Sequence, residues 1–334
     1  MSSKRPRVYV TRGLPGDALE RLADSADVEV WAGDDPPPYE ILRQEASRSD
    51  ALITLLTDSV DALLLEAAQQ LRVVSNVATG YDNIDVETAT SKGIAITNTP
   101  GVLEETTADL AFALLLAAAR RVVEGERLIR RGEWTSWSPT LLLGSDVHGA
   151  TLGIVGLGAI GAAMARRARG FDMRVIYHSR SANPELEREL GLKKVSLDEL
   201  LRKANFVSLH VPLNEETRGM IGARELSLMG KEAYLINTAR GGLVDQEALC
   251  SALERGKIAG AALDVFVEEP LPDSDLLRNL NKVVLTPHIG SASVTTRSRM
   301  AAMAVENCLA ALGGKVPPNC LNPEVFQRQA VGIQ

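Results

Sequence analysis

Three stretches of the sequence carry side chains that together could donate a proton and bind an acid. Arg240 lies in LINTARGG, Glu269 in LDVFVEEP and His288 in LTPHIGSA. Each stretch begins with an apolar run that predicts a strand, and parallel sheets gather ligands at the carboxyl ends of their strands. Hydride reduction of a 2-oxo acid needs an acid for the new alkoxide, a cation for the carboxylate, and a partner that keeps the acid charged. Histidine, arginine and glutamate supply one of each.

A glycine-rich turn upstream is typical of a dinucleotide-binding site. In TLGIVGLGAIGAAMARRARGF, Gly156, Gly158 and Gly161 form a G-x-G-x-x-G pattern around Ala159 and Ile160. This pattern follows an apolar run and opens an alanine-rich helix, which is the context that it requires. Glycines let the backbone approach a pyrophosphate, which then lies at the positive end of the helix. The sequence therefore predicts a bound dinucleotide.

The next predicted strand, in VIYHSRSAN (175–183), ends in residues that suit a phosphate. NAD sites normally place an Asp or Glu about 20 residues beyond the glycines, where it accepts the ribose 2′-OH. Ser179 and Arg180 occupy that strand end here. A hydroxyl and a guanidinium would bind a 2′-phosphate that a carboxylate would repel. We therefore predict NADPH/NADP as the preferred cofactor, with NADH as the weaker alternative.

Three other histidines compete with His288 for the role of the acid. His148 precedes the glycine-loop strand at its amino end, His178 points to the adenosine ribose if it points at any ligand, and His210 ends a strand near the cofactor. We expect all three to be hydrogen-bonded structural residues.

The elements that must position these residues alternate along the chain. RVYV, VEVW, ALITLL, LRVVSNV and IAITN predict strands in the first hundred residues, and six more follow in TLGIVG, MRVIYH, FVSLHV, AYLINT, AGAALDV and KVVLT. Strands that alternate with helices predict an α/β fold with parallel sheets. One helix, closed by Gly313 and Gly314, follows Pro287 and is expected to pack on the first domain. We therefore expect one domain from residues 1–100 plus 290–334 and a second domain from residues 101–289, so that the chain crosses between them twice. The active site is expected in the cleft between the two domains.

Composition excludes several classes of protein. Hydrophobic residues make up 45% and charged residues 24%, as in soluble globular proteins. A net charge of −7 without a basic stripe argues against nucleic acid. The longest apolar run, 110–119, is too short to span a bilayer, and MSSKRPRVYV has no apolar signal core. Three separated cysteines predict free thiols, no metal and a cytoplasmic location.

These motifs resemble the D-isomer-specific 2-hydroxyacid dehydrogenase family over nearly the whole chain. GLGAIG, the ARG of LINTARGG, LDVF…EP and PHIGSA occur together, in order and at the family's spacing. The resemblance implies two Rossmann-like domains. Residues 1–100 and 290–334 would form a flavodoxin-like substrate-binding domain, and residues 101–289 a dinucleotide-binding domain. A helix and loop at about 102–147 would join two copies into a homodimer.

The resemblance also implies roles for particular residues. His288 would donate the proton, Glu269 would be its hydrogen-bonded partner, and Arg240 would hold the substrate carboxylate and keto oxygen. The other implied substrate contacts are the backbone at Ala78, Thr79 and Gly80, with Ser291, Trp137 and a pocket wall at Leu55. Besides the glycine turn and Ser179–Arg180, the implied cofactor contacts are Thr107, Val211, Pro212, Thr217, Thr238, Ala239, Gly290 and Asp264, which would face the nicotinamide carboxamide.

Within the family, the sequence is most similar to the glyoxylate/hydroxypyruvate reductases. The HSR strand end matches their NADP-type end, and GEWTSWSPTLLLG (132–144) is similar to their dimerisation loop. In that loop a tryptophan at the position of Trp137 reaches into the partner's pocket. The similarity implies NADPH-dependent reduction of glyoxylate to glycolate and of hydroxypyruvate to D-glycerate.

Other readings stay open. Phosphoglycerate dehydrogenases often carry an added regulatory domain, whereas this chain ends at residue 334. Formate dehydrogenases have glutamine where Glu269 stands, and D-lactate-type enzymes usually keep the strand-end acid that Ser179 replaces. An alternative of another class is a dinucleotide-sensing, corepressor-like interaction protein with the same fold and the same three residues. Steady-state NADPH oxidation with glyoxylate would separate it from an enzyme.

Overall fold

A computed structural model describes residues 5–331, and its first part alternates short strands with short helices. Strands β1 to β5 span Arg7–Val10, Asp27–Val30, Ala51–Thr54, Val73–Asn76 and Ala95–Thr97. Helices α1 to α4 span Ala18–Ala23, Tyr39–Arg48, Ala62–Ala67 and Val86–Ser91. Residues 1–4 and 332–334, which belong to the first predicted domain, lie outside the described residues.

The chain continues with two helices, a second alternating region and two final helices. Helices α5 and α6 span Glu104–Ala119 and Val122–Arg130. Strands β6 to β12 span Thr151–Val155, Arg174–His178, Lys193–Lys194, Phe206–Leu209, Tyr234–Asn237, Gly260–Leu263 and Val283–Leu285. Helices α7 to α11 span Ala159–Ala168, Pro184–Leu190, Leu197–Lys203, Ala223–Leu228 and Gln246–Glu254. Helices α12 and α13 span Val294–Leu312 and Glu324–Val331.

The chain divides into two compact units, each built on a parallel sheet. The first unit comprises the residues up to Leu103 and those from Ala292 onwards, and the second comprises Glu104–Ser291. The first sheet has the strand order β2-β1-β3-β4-β5, and the second has β12-β11-β10-β9-β6-β7-β8. All pairs of neighbouring strands are parallel. The prediction of an α/β fold with two Rossmann-like sheets is confirmed.

Apolar side chains cover both faces of the first sheet around its inner strands, since every residue of β3 and β4 is buried, whereas the edge strand β2 is partly exposed. Val8 and Val10 of β1 pack with Ala301 and Val305 of α12 on one face. The intervening Tyr9 packs with the side chains of the other face. Helix α12 ends at Gly313 and Gly314, as the sequence predicts, and Gly314 adopts a φ of +73°.

The second sheet has one strand more than the six that the sequence pattern predicts. The additional strand, β8, consists of Lys193 and Lys194 and pairs with β7 at the edge of the sheet. Two lysines are not apolar and are too few to show an alternation of apolar and polar residues, so the hydrophobic pattern does not predict this strand. The strand order reverses between β6 and β9, which is where open α/β sheets bind their ligands.

The described residues include no helix that is long and apolar enough to cross a membrane. Within the same residues, no group of three potential ligating side chains is arranged to hold a metal ion. Cys250, Cys308 and Cys320 are free thiols.

Candidate active site

Three loops emerge from adjacent strand ends in the second sheet. Arg240 lies just beyond β10, Glu269 lies in the loop after β11, and His288 lies just beyond β12. These strands are parallel neighbours, so their carboxyl ends lie at the same edge. The fold therefore brings together the three residues that the sequence singles out for proton transfer and acid binding.

His288 and Glu269 form a short charge-assisted contact. His288 Nδ1 lies 2.7 Å from Glu269 Oε2, and the two side chains are 23% and 26% exposed. The other carboxylate oxygen of Glu269 accepts a hydrogen bond of 2.9 Å from the Phe266 N–H. Both carboxylate oxygens are thus engaged, which fixes the ring. Nε2 of the imidazole has no hydrogen-bond partner within residues 5–331 and is available to a ligand.

The backbone of His288 is held in an uncommon conformation. Its φ is +53°, in the left-handed region that non-glycine residues seldom adopt. The His288 N–H donates to the carbonyls of Asp264 at 2.9 Å and Thr286 at 3.1 Å, which keeps the residue in this conformation. Strained backbone of this kind persists where surrounding contacts enforce it, and it is frequent at functional sites.

The charge of Glu269 is stabilised by its neighbours. Burial alone would raise the pKa of this carboxyl group. The hydrogen bond from His288, the charge on that ring, the Phe266 N–H and the charge of Arg240 outweigh burial, so the pKa is lowered. Glu269 therefore stays ionised to a lower pH than a free glutamate does, and its negative charge is present throughout the neutral range.

An asparagine and a glycine determine the conformation of the loop that carries Arg240. Asn237 accepts from the Ala239 N–H at 3.1 Å and donates to the Arg240 carbonyl at 2.8 Å. A Cβ on Gly241 would lie 1.9 Å from the Phe266 carbonyl carbon, so only glycine permits the close approach of the two loops. Neither Asn237 nor Gly241 is among the residues predicted from the sequence, although both belong to LINTARGG.

Asp264 organises the loop that carries His288. It is fully buried, and its Oδ1 accepts from the Thr286 hydroxyl at 2.6 Å and the Ile289 N–H at 2.9 Å. Its Oδ2 accepts from the Gly290 N–H at 2.8 Å. Burial raises the pKa of Asp264 despite these hydrogen bonds. The predicted contact with a nicotinamide carboxamide stays a prediction, and the observed contacts give Asp264 a second task within the loop.

The glycine turn between β6 and α7 leaves room for a phosphate group. A Cβ on Gly156, whose φ is +96°, would lie 2.6 Å from the His210 carbonyl oxygen, and one on Gly161 would lie 2.1 Å from the Gly156 oxygen. Gly158, the N-cap of α7, has no other residue within 4 Å of its Cβ position and no side chain to cap the helix. The open backbone N–H groups at Ala159 and Ile160 therefore fit a pyrophosphate.

Other residues predicted to contact the cofactor lie around this turn. The Thr217 hydroxyl donates to the Pro212 carbonyl at 2.7 Å and so shapes the turn after β9. A Cβ on Gly156 would lie 2.7 Å from Val211 Cγ1, which puts Val211 beside the glycine turn. The hydroxyl of Thr238 is buried without a hydrogen-bond partner in the described part of the chain, as expected of a group that awaits a ligand.

Thr107 and Gly290 pack together at the start of α5. The Cβ position of Gly290 lies 3.4 Å from Thr107 Cγ2, and Thr107 is buried. Ser291 follows Gly290 and is half-buried. These positions are compatible with the predicted contacts, which stay predictions.

The strand end at β7 carries no acid. Ser179 donates to the Ser181 carbonyl, and the side chain of Arg180 is exposed. The first acidic residue beyond this end is Glu185, which lies in the first turn of α8. The predicted contact of Ser179 and Arg180 with a ribose 2′-phosphate stays a prediction.

The three competing histidines make other contacts. Nε2 of His210 lies 2.8 Å from the Ser208 hydroxyl. Burial lowers the pKa of His210 to about 4, so its ring is uncharged at neutral pH. His178 Nδ1 lies 3.2 Å from the Val195 carbonyl. His148 is exposed and lies 3.8 Å from Asp172, beyond hydrogen-bond distance, so the expectation of a hydrogen-bonded structural residue is wrong for this histidine. None of these rings has the hydrogen-bonded carboxylate that orients His288.

In the first unit, the loop after β4 offers a row of backbone donors. The N–H groups of Ala78, Thr79 and Gly80 have no acceptor in the part of the chain that the structure describes. The loop is nevertheless fixed, because the side chain of Asn76 donates to the Gly80 carbonyl at 3.1 Å and that of Asn98 to the Thr79 carbonyl at 2.8 Å. Successive free N–H groups of this kind bind carboxylates.

The predicted pocket wall at Leu55 belongs to a neighbouring loop of the first unit. The Leu55 N–H donates to Asp58 at 2.7 Å, and Asn83 donates to the Leu55 carbonyl at 3.2 Å. Asn83 also accepts from Asn76 at 3.3 Å. A shared set of hydrogen bonds thus fixes this loop and the one after β4.

Comparison with known proteins agrees with this geometry. Residues 112–290 match the sequence profile of the family described as D-isomer specific 2-hydroxyacid dehydrogenase, NAD binding domain. A glyoxylate reductase of Korarchaeum cryptofilum is 52% identical over 331 residues, covering 99% of this chain and all of the relative.

Solved structures are similar over nearly the full length. The TT0316 protein from Thermus thermophilus is 50% identical with a TM-score of 0.89, over 94% of this chain and 99% of that one. The NADPH-dependent glyoxylate/hydroxypyruvate reductase of Sinorhizobium meliloti, in complex with NADP and malonate, is 32% identical with a TM-score of 0.83. That similarity covers 97% of this chain and 98% of the other.

The chain belongs to the D-isomer-specific 2-hydroxyacid dehydrogenase family. It is an NAD(P)-dependent oxidoreductase that acts on the hydroxyl group of 2-hydroxy acids. Its cofactor is a nicotinamide dinucleotide, for which the glycine turn and the unpartnered hydroxyl of Thr238 leave suitable groups.

Proposed function

We propose that the protein reduces glyoxylate to glycolate and hydroxypyruvate to D-glycerate, with NADPH as the preferred reductant. The relatives at about half identity are named glyoxylate reductases. The observation that carries the proposal is the 2.7 Å contact between His288 and Glu269 at the strand edge that also holds Arg240. This arrangement supports a proton donor that is held by Glu269 and a cation at the same edge of the sheet.

In the proposed reaction, each residue has one task. A reduced nicotinamide, bound at the glycine turn, would be the source of the hydride that C2 of the oxo acid accepts. His288 gives the proton on Nε2 to the oxygen that becomes the hydroxyl. Glu269 holds Nδ1 and stabilises the protonated ring, and Arg240 neutralises the charge that develops on the oxygen and binds the carboxylate.

We propose that the backbone N–H groups of Ala78, Thr79 and Gly80 bind the other side of the substrate carboxylate. They are free of internal acceptors within the described residues. Because the whole protein carries a net charge of −7, an anionic substrate is not attracted by the overall field. Attraction must come from these N–H groups and from Arg240.

The proposed preference for NADPH rests on Ser179 and Arg180. Neither is paired with a carboxylate among the described residues, and no acid occupies the end of β7. The solved S. meliloti relative is described as NADPH-dependent and was obtained with NADP.

The role of Glu269 leads to a prediction for pH dependence. Because its pKa is lowered, the carboxylate is charged at neutral pH and favours the protonated imidazole. In Glu269→Gln that charge is absent, so the carboxylate no longer stabilises a positive charge on the ring that donates the proton. We expect kcat/KM for glyoxylate reduction to fall by about tenfold. The loss should persist across the neutral range, because the lowered pKa keeps Glu269 of the wild type ionised there. The measurement is steady-state kinetics between pH 5 and pH 10.

Glu268→Gln is the matched control, because Glu268 is the neighbouring glutamate and is exposed. Its profile should superimpose on that of the wild type. If Glu269→Gln also superimposes on the wild type, Glu269 does not act on the proton donor.

We propose further that the protein is a homodimer formed through the segment 122–143. Helix α6 has no buried residue, although its sequence is amphipathic. Ile129 is 63% exposed, and Trp134 and Trp137 are 54% and 75% exposed. Apolar side chains grouped in this way mark an interaction surface. A second copy is the proposed occupant, with Trp137 reaching into the partner's pocket, where it would favour short substrates.

A charge on this surface should separate the two copies. We expect the wild type to sediment at twice its chain mass of 35.9 kDa, and Ile129→Glu to sediment as a monomer at micromolar concentration. Leu63→Glu is the control, because Leu63 is 65% exposed but lies in α3 of the first unit. A wild type that is monomeric, or a dimer that survives Ile129→Glu, would refute the proposed interface.

The proposed function is tested by assaying a panel of 2-oxo acids with both reduced cofactors. The expected result is the highest kcat/KM with glyoxylate or hydroxypyruvate and NADPH. Highest activity with pyruvate and NADH would favour a D-lactate-type enzyme, and activity with 3-phosphohydroxypyruvate would favour a phosphoglycerate dehydrogenase. Cofactor binding without turnover of any oxo acid would favour the corepressor-like alternative.

A further inference from the structure

A lysine on the short edge strand reaches the strand end that we assign to the cofactor's 2′-phosphate. Lys194 lies on β8, in register with Tyr177 of β7. Its Nζ donates a hydrogen bond of 3.0 Å to the Arg180 carbonyl. The ammonium group therefore lies directly at the backbone of the loop that carries Ser179 and Arg180.

The side on which Lys194 projects follows from the register of the two strands. Residues paired in a parallel ladder point to the same face of the sheet, and consecutive residues point to opposite faces. The Tyr177 hydroxyl contacts Glu187 and the Asn183 N–H, so Tyr177 faces the loop and helix that follow β7. Lys194 projects to that face as well, and Lys193 projects to the other.

The positive charges at this loop are not neutralised. Neither Arg180 nor Lys194 has a carboxylate within 4 Å in the described part of the chain. Glu187 of α8 accepts a hydrogen bond of 2.6 Å from the Tyr177 hydroxyl. Two unpaired cations and a hydroxyl at one strand end form a site for a doubly charged anion.

Lys193 has a different electrostatic environment. The pKa of Glu199 is lowered chiefly by its hydrogen bond from Lys203, with a smaller contribution from the charge of Lys193. The charge of Lys193 thus acts on Glu199 of α9, whose ion-pair partner is Lys203. The two adjacent lysines form a natural pair for experiment, because they have the same charge and the same strand but opposite faces.

We propose that Lys194 is a specificity-determining residue for NADPH, and that it adds a second cation, with Arg180, to the site of the 2′-phosphate. The inference rests on the proposed NADPH preference and deepens it. A lysine acts as a mobile point charge, so it can turn from the Arg180 carbonyl towards a phosphate without movement of the backbone. Its charge matters only to a cofactor that carries this phosphate.

The test is the affinity of the purified protein for NADPH and for NADH, measured by titration calorimetry. Lys194→Gln keeps a donor for the Arg180 carbonyl but removes the charge. We expect its Kd for NADPH to rise about tenfold, with little change for NADH, because one charge-assisted contact is lost. Lys194→Arg should keep most of the affinity for NADPH, and Lys193→Gln should bind both cofactors as the wild type does. The NADPH effect should shrink as salt is raised.

Three outcomes would overturn the inference. They are an unchanged ratio of NADPH to NADH affinity in Lys194→Gln, an equal loss for both cofactors, and the same loss in Lys193→Gln. An equal loss for both would show that Lys194 only supports the loop. If replacement of Ser179 and Arg180 changes the ratio while Lys194→Gln does not, this inference fails and the proposed NADPH preference stands. If neither replacement changes the ratio, both fail.

Discussion

Replacement of His288 by glutamine should lower kcat for glyoxylate reduction by about 10²–10⁴-fold. Glutamine is similar in size and can still contact Glu269, but it has no proton to give at neutral pH. The residues assigned to the cofactor phosphates lie elsewhere, at the glycine turn and the end of β7. We therefore expect the Kd for NADPH to be unchanged. Stopped-flow hydride transfer and fluorescence titration measure the two quantities separately.

His148→Gln is the matched control for this variant. His148 is exposed and lies 3.8 Å from the exposed Asp172. Its replacement should leave kcat unchanged. Normal turnover in His288→Gln would show that another group is the proton donor, and a loss of NADPH binding would show that His288 acts on the cofactor instead.

The double replacement Ser179→Asp and Arg180→Ala should shift cofactor preference towards NADH by about 10–100-fold in the ratio of kcat/KM values. The change removes a charge-assisted contact with the 2′-phosphate and adds a carboxylate that repels it. The same carboxylate can accept a hydrogen bond from the 2′-OH of NADH. Steady-state kinetics with saturating glyoxylate and varied cofactor measure the ratio.

Arg188→Ala serves as the control for a change in charge near the site, because Arg188 is exposed on α8. It should leave the ratio within about twofold of the wild type, since exposed charges at a distance are screened by salt. A ratio that does not move in the double variant would mean that the 2′-phosphate is recognised elsewhere.

Local sequence context predicts much of the candidate site. The glycine turn is recognisable because its spacing reflects close backbone contacts, such as that between Gly161 and the Gly156 oxygen. Arg240, Glu269 and His288 are recognisable because each follows an apolar strand. In parallel sheets such positions lie at one edge, so strand prediction alone groups them.

What the sequence does not reveal depends on contacts between distant segments. The approach of Gly241 to Phe266 and the three hydrogen bonds that Asp264 accepts join separate loops. The positive φ of His288 results from such contacts and leaves no pattern in composition. Strand β8 consists of two lysines and gives no periodic signal.

In the proposed reaction the protein transfers a hydride to C2 of a 2-oxo acid while His288 protonates the oxygen. The most direct test uses NADPH that carries deuterium at the transferred position of C4, with hydroxypyruvate as the substrate. We predict that the wild type forms D-glycerate with one deuterium at C2. Under the same conditions His288→Gln should form almost no product. L-glycerate, product without deuterium, or equal labelling by both proteins would contradict the account.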